Sequence, residues 1–296
     1  MLTICTPTFN RAYCLSDLYK SLKTQTERNF EWIIVDDGSK DHTDTLVAEW
    51  VEEASFPIRY IYKENGGKHT ALNYGIDVAK GDYFIIVDSD DMLTADAVAT
   101  IRDACEELPQ VGFAGVGFNK QFLNGDLIGR TFEGQTVDAS TLERAKYHIV
   151  GDKAEVFRTE ILKKYPFPVF EGERFLTEAV VWNRIAADGY KIRWYNKGVY
   201  LCQYREDGLS MNASCKKNFQ GYTLAVKEIA SYKTMPLSER IRNIGVYACV
   251  AEELELSTKK TAELICSSWQ LVAISKSLYK LKRLLLSNDR RKKLRV

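Results

Sequence analysis

Gly81-Asp82-Tyr83-Phe84-Ile85-Ile86-Val87-Asp88-Ser89-Asp90-Asp91 is the stretch whose reading decides the fold. Tyr83 to Val87 is a continuous apolar run of aromatic and β-branched residues, with the length and composition of a strand buried on both faces. Three carboxylates follow within four positions at its carboxyl end, the edge where open α/β sheets bind ligands. Asp88 and Asp90 are one residue apart. In an extended turn both can offer oxygen to one hard divalent cation, Mg²⁺ or Mn²⁺, whose other positions are filled by water and substrate phosphate. A turn capping the helix after Thr94-Ala95-Asp96 would use the same residue types, so the choice between them rests on what else points at this edge.

Working outward, the pattern repeats. Leu2 to Thr6 reads as a first strand, ended by Pro7 and followed by Thr8-Phe9-Asn10-Arg11. Leu15, Leu18, Tyr19 and Leu22 have helical spacing. Trp32 to Val35 reads as a second buried strand, again followed by carboxylates, Asp36-Asp37-Gly38-Ser39. A helix capped within Asp41 to Asp44, a third strand over Ile58 to Tyr62, the cluster Glu64-Asn65-Gly66-Gly67-Lys68 and a helix from His69 to Ala79 complete the series. Short-linked alternation of strand and helix is the signature of a doubly wound parallel sheet. Four polar clusters on one edge are what a nucleotide site there needs. Beyond Ala95 the reading is a helix to Leu108, a strand over Val111 to Asn119 and a hairpin around Asn124-Gly125-Asp126. Next come a short strand at Glu155 to Phe157, a helix over Glu178 to Ala187 and a strand-like Lys191 to Tyr204.

The 296 residues are 45% hydrophobic and 27% charged, enough for one large α/β domain with an appendage. No apolar run is long enough to span a bilayer, and Met1 leads straight into a strand, so neither a spanning helix nor a secretory leader is expected. Seven scattered cysteines without a CxxC pair read as reduced cytosolic thiols. The net charge of +1 hides an asymmetry: from Lys276 onward there are nine Lys or Arg and one Asp, leaving 32 basic against 39 acidic residues elsewhere.

The stretch Ser21 to Thr43, with Pro7 to Arg11 before it and Asn65 to Gly75 and Asp88 to Asp91 after it, resembles the family 2 glycosyltransferases of the GT-A fold over roughly residues 1–210. The resemblance implies an α/β fold with a doubly wound, mostly parallel Rossmann-like sheet. A GT-A domain would cover 1–212, split into a nucleotide-binding half (1–118) and an acceptor half (119–212), with a C-terminal helical region and basic tail over 213–296. It further implies that Thr6, Pro7 and Thr8 line the nucleobase and ribose pocket and that Asp36 is similar to the uracil-contacting carboxylate. Asn10, Arg11, Asp37, Lys68, Asp88 and Ser89 belong to the same donor site. Asp90, with Asp88, is the implied ligand set for Mn²⁺ or Mg²⁺. Glu178 aligns with the catalytic base, with Glu173 as its alternative. Arg205 and Ser210 fall in the late segment that closes over the diphosphate. Leu72 departs from the family, many of whose members carry Arg there, so phosphate charge must come from Lys68 or from basic residues further on.

These residue types suit transfer of a sugar from a nucleotide-sugar donor, a UDP-sugar on this resemblance, to a hydroxyl of a glycan or lipid-linked acceptor in cell-surface glycan synthesis. The leaving diphosphate needs cations, and the attacking hydroxyl needs one carboxylate as base. One base with in-line attack implies inversion, whereas a retaining double displacement needs a second carboxylate as nucleophile. Three other classes bear on these motifs. A sugar nucleotidyltransferase needs a Gly-rich loop after the first strand, and Thr6 to Asn10 has no glycine. A phospho-receiver domain is much shorter and does not account for Glu171 to Glu178. A catalytically inactive carbohydrate-binding relative would be expected to lose acidic positions that are all present.

Trp269 to Leu285 sets Trp269, Leu271, Val272, Ile274, Leu278, Leu281, Leu284 and Leu285 on a broad helical face among Lys276, Lys280, Lys282 and Arg283. One reading is a solvated helix packed on the fold. The other is an interfacial helix on an anionic membrane, with the protein cytoplasmic and peripheral at the inner face of the cell membrane. Confinement of the basic residues to the tail argues against nucleic acid as a partner.

Overall fold

The computed structural model describes residues 1–203 and 214–293, with 286–293 described by backbone alone. Arg205 and Ser210 lie outside the described residues. The chain divides into two compact units, Met1–Val169 with Arg174–Asn212, and Phe170–Glu173 with Ala213–Val296.

In the first unit, β1 (Leu2–Thr8) and β2 (Phe30–Asp36) are buried at every position, as strands covered on both faces must be. With the half-buried edge strand β3 (Ile58–Tyr62) and with β4 (Tyr83–Ile86) they form a parallel array in the order β3-β2-β1-β4. The crossovers carry α1 (Ala12–Lys23), α2 (Thr43–Glu53) and α3 (Lys68–Val78). α1 buries Leu15, Leu18, Tyr19 and Leu22, and Tyr19 stacks on Trp50 of α2 with ring centroids 4.4 Å apart. Chain order reverses between β1 and β4, the switch point beside which such sheets bind ligands. Register fixes that edge: Thr8 lies opposite Asp36, and Asp36 opposite Tyr62.

The sheet then becomes mixed through β5 (Met92–Leu93), β6 (Phe113–Phe122), β7 (Thr136–Ala139), β8 (Lys153–Arg158) and β9 (Lys191–Cys202), in the order β4-β8-β6-β9-β5 with β7 on β9. β8 runs antiparallel to both neighbours, whereas β6 and β9 are parallel. The helices here are α4 (Ala97–Glu106), α5 (Thr159–Leu162) and α6 (Ala179–Ala187). The turn expected at Asn124-Gly125-Asp126 forms, with Gly125 at φ +87° and Phe122 N–H donating to the Asp126 carbonyl. The 3₁₀ helix Thr141–Tyr147 is an addition to the sequence reading, although its capping box of Ser140 and Glu143 is a sequence signal.

The second unit contains α7 (Phe219–Ser231), α8 (Leu237–Glu253), α9 (Thr258–Leu264) and α10 (Trp269–Lys293) around a core of Val226, Ile244, Tyr247, Ala248, Ala262, Ile265 and Val272. α8 and α10 cross closely at Gly245, where a Cβ would collide with the Ser275 carbonyl and the Tyr279 side chain. Lys276 and Lys280 of α10 both reach Glu252 of α8, at 2.8 and 2.6 Å. The sequence pattern suggests one broad apolar face on α10. In the structure that face is divided: Val272 is buried, while Ile274, Leu278, Leu281, Leu284 and Leu285 are exposed.

One buried charge in the first unit has a measurable signature. Lys153, 5% exposed, donates to Asn119 Oδ1 at 3.0 Å. Burial, with Arg144 nearby, pushes its ammonium down to about 8, against about 10.4 in an unfolded chain. Unfolding therefore takes up a proton between those values, and stability rises with pH from about 8 to about 10. Lys153→Met removes the titrating group. In urea melts across that window the wild type is expected to gain on the variant by on the order of 2 kcal/mol. Parallel pH profiles would refute the buried-charge account.

Candidate active site

The site grows from the loop between β3 and α3. Asp37, just beyond β2 and 4% exposed, accepts from Lys63 Nζ at 2.6 Å and from the amides of Gly66 at 2.8 Å and Gly67 at 2.7 Å. These bonds draw the Asn65–Lys68 loop onto the sheet edge. Asn65 Nδ2 adds a bond to the Asp37 carbonyl at 2.8 Å. Gly67 adopts φ +95°, and a Cβ there would be driven into the Arg174 backbone carbonyl. Only glycine permits both the dihedral and the approach. The approach holds the segment leading to Glu178 against the start of α3, whose first residue is Lys68.

Lys68 is the junction. Its ammonium lies 2.6 Å from Asp88 Oδ1 and 2.8 Å from Glu178 Oε1. Burial alone would lower the Lys68 pKa, but the two carboxylates outweigh it and hold the group charged, well above its ordinary range. Burial likewise opposes ionisation of Asp88, and the cations Lys68, Lys120 and Arg11 overcome it and hold the carboxylate below its usual range. Asp90 Oδ2 pairs with Arg11 Nη1 at 3.0 Å. Asp91 is more deeply buried and accepts from Gln203 N–H at 3.1 Å. Burial, then Asp88, pushes its carboxyl up to about 6.

The structure thus brings together Arg11, Lys68, Asp88, Asp90 and Glu178 from the implied set. It gives other members internal partners. Asp36, 1% exposed, accepts from Tyr60 Oη at 2.6 Å and Ser39 N–H at 2.7 Å. Thr6 points into the core, where its hydroxyl accepts from Trp32 Nε1 at 2.9 Å. Asn10, at φ +53°, binds the Ser39-Lys40 loop through its own N–H and its Oδ1. Pro7 and Ser89 are buried. Thr8 carries a buried hydroxyl at the end of β1, without a hydrogen-bond partner among the described residues.

Glu173 and Glu178, left as alternatives by the sequence, have different surroundings. Glu173 is 8% exposed and accepts from the amides of Gln220 at 2.6 Å and Gly221 at 2.8 Å, in the first turn of α7. A carboxylate on those unpaired donors stabilises a helix start. Glu178 instead sits at the N-cap position of α6 without capping it, its carboxylate turned to Lys68.

Two residues that the sequence does not single out join the site. Lys120, near the end of β6, lies 3.9 Å from the Tyr200 ring centroid. Burial opposes its charge, yet Asp88, Cys202 and Asp91 keep its pKa raised. Tyr200 accepts from Asp88 N–H at 2.9 Å and so fixes the turn that aims the carboxylates. The available signal is the polar pair Asn119-Lys120 after the apolar run of β6, much as Asp88 follows the apolar run through Val87.

Among the described residues no group of three or more His, Cys, Asp or Glu side chains is gathered as a metal centre. Asp88 and Asp90 are hard oxygen donors at one strand end, and Arg11 already sets a cation against Asp90. That donor set fits Mg²⁺ or Mn²⁺, which take one or two protein carboxylates and complete their shell with phosphate and water.

An α/β sheet with an acidic, cation-bridged edge at its switch point sets charged groups where open α/β sheets bind ligands. Residues 3–165 match the family described as glycosyl transferase family 2, and the chain belongs to that family. It is 24% identical over 279 residues to the GalNAc(5)-diNAcBac-PP-undecaprenol beta-1,3-glucosyltransferase of Campylobacter jejuni, covering 92% of this chain and 81% of that one. An uncharacterized glycosyltransferase of Rickettsia typhi is 41% identical over 92 residues, 31% of this chain, and the match spans 28% of that protein's length. Among solved structures, S. aureus TarS 1-349 in complex with UDP-GlcNAc aligns with a TM-score of 0.60 at 19% identity, over 89% of this chain and 75% of that one. The mannosyltransferase PcManGT from Pyrobaculum calidifontis, in complex with GDP-Man and Mn²⁺, aligns at 0.59 and 18% identity over 99% and 80%. These structural likenesses establish the GT-A type of α/β fold.

Gly67 gives this geometry a test. Gly67→Ala adds both backbone strain and a collision, whereas Gly125→Ala, at φ +87° with open space around it, adds strain alone. Strain of this kind costs about 1–3 kcal/mol. In urea denaturation Gly67→Ala is expected to lose clearly more stability than Gly125→Ala. Equal losses would mean that the Arg174 approach carries no packing constraint.

Proposed function

We propose that this chain is a metal-dependent, inverting glycosyltransferase that moves a sugar from a nucleotide-sugar donor to a hydroxyl of a glycan or lipid-linked acceptor. The observation that carries the reading is the Asp88–Lys68–Glu178 bridge at the switch point, which links a donor-side carboxylate, a cation and a candidate base. Glu178 takes the proton from the acceptor hydroxyl, whose oxygen attacks the anomeric carbon in line as the bond to the donor's diphosphate breaks, so a single displacement inverts the centre. Lys68 and Lys120 supply the positive charge for the leaving diphosphate that Leu72 does not. Asp88 and Asp90 hold a divalent ion which, when bound, neutralises charge on that diphosphate. Asp37 acts one step back, by holding the loop that carries Lys68.

The names of similar proteins support the finer assignments. The Campylobacter protein is a glucosyltransferase named for a polyprenyl-diphosphate-linked acceptor, which favours a lipid-linked glycan as acceptor and cell-surface glycan synthesis as the setting. The solved structures hold UDP-GlcNAc in one case and GDP-Man with Mn²⁺ in another. A UDP-sugar donor therefore rests on the motif resemblance alone.

Glu178→Gln keeps size and hydrogen bonding but cannot accept the proton. Turnover of the transferred sugar is expected to fall roughly 10²-fold or more, with nucleotide affinity by calorimetry nearly unchanged. Glu173→Gln is expected to keep turnover and instead weaken the second unit by about 1 kcal/mol through its helix start. The reverse pattern, with Glu173→Gln dead and Glu178→Gln active, would overturn the assignment.

Chelation tests the metal separately. EDTA is expected to abolish transfer, Mn²⁺ or Mg²⁺ to restore it, and Asp90→Asn to raise the metal concentration needed. Full activity in chelator sinks the metal assignment while leaving the base untouched.

A further inference from the structure

α10 has two apolar faces, and the second unit buries only one. Val272 and Ser275 are buried, and Ser275 and Tyr279 meet α8 at Gly245. Taken at 100° per residue, Ile274, Leu278, Leu281 and Leu285 form a stripe about a third of a turn round the helix from that contact. These four side chains are 56%, 49%, 55% and 59% exposed. Their spacing of four, three and four residues keeps them in register over a rise of about 17 Å. Exposed Lys282 stands beside the stripe, Arg283 lies on the far side of the helix near the Tyr279 ring, and no Asp or Glu occurs between Trp269 and Leu285. Among the described residues no helix is long and apolar enough to cross a membrane.

We propose that this outer face of α10 is a membrane-docking surface that lies flat on an anionic lipid bilayer. A stripe of aliphatic side chains with a lysine and, up to Leu285, no acid of its own helix beside it matches the acyl and headgroup layers of such a surface. A second copy of the chain is a poorer occupant. Two such faces would set Lys282 of each copy on the seam with no acidic residue between Trp269 and Leu285 to pair with, whereas paired helices ordinarily match opposite charges across their flanks. The tail beyond Leu285, basic by sequence, adds charge of the same sign. The inference stands on α10 alone and is independent of the transfer reaction.

The test uses the full chain and vesicles of phosphatidylcholine with or without phosphatidylglycerol. The wild type is expected to sediment with the anionic vesicles at low salt, to bind neutral ones at least about tenfold less and to be released as salt screens the charge. The double variant Leu278→Ser/Leu281→Ser and the charge reversal Lys282→Glu change exposed side chains. Each is expected to keep the wild-type urea melt and to lower vesicle binding roughly tenfold. The proposal is overturned if the wild type stays in the supernatant or if either variant binds undiminished. It is equally overturned if ultracentrifugation shows a dimer that Leu278→Ser/Leu281→Ser dissolves, because the stripe then belongs to a second copy.

Discussion

One half-buried ammonium governs the architecture of the catalytic edge. Lys68 is drawn from water and held within 3 Å of two carboxylates on different elements. Its desolvation is offset only while both partners stay in place. That requirement couples parts of the chain that are far apart in sequence: the loop after β3, the turn after β4 and the start of α6. Removing either carboxylate leaves an imperfectly paired cation, so the elements are held to one arrangement. Asp37 underwrites that arrangement from below, because its two oxygens satisfy the amides that bring Lys68 to the edge.

Much of this is legible in the chain. The apolar strand followed by Asp88-Ser89-Asp90-Asp91, and its echo at Asp36-Asp37, locate the sheet and its working edge, because parallel strands buried on both faces leave polar residues only at their ends. Spacing does not tell which polar residue serves the ligand and which serves the scaffold. Thr6, Asn10, Asp36 and Asp37 fall in the right motifs, yet their side chains bind Trp32, the Ser39-Lys40 loop, Tyr60 and the Gly66-Gly67 amides. Such pairings join residues 20 or more apart and follow from packing. Lys120 and Tyr200 escape a sequence reading for the same reason. They reach the edge only because β6 and β9 pair in parallel in the mixed half of the sheet, whose topology has no short-range code.

The two acidic candidates show the limit most clearly. Glu173 and Glu178 are five residues apart and chemically equivalent on paper. One serves the amides of a helix start and the other faces a lysine. Both lie near a helix N-terminus, so a carboxylate there is as ready a cap as a base. Only the positions of Gln220 and Lys68, neither adjacent in sequence, separate the roles.

The short segment Phe170–Glu173 carries a consequence for how the molecule is made. It belongs with helices that begin more than forty residues later, while Arg174 onward returns to the sheet. A ribosome therefore releases the sheet strands and the Glu178 segment before the partner of Glu173 exists. Until α7 emerges, the Glu173 carboxylate has no helix start to bind. Completion of the second unit's core thus waits on the last third of translation. The two units also cannot be separated by a single cut between residues 212 and 213 without stranding those four residues on the wrong side.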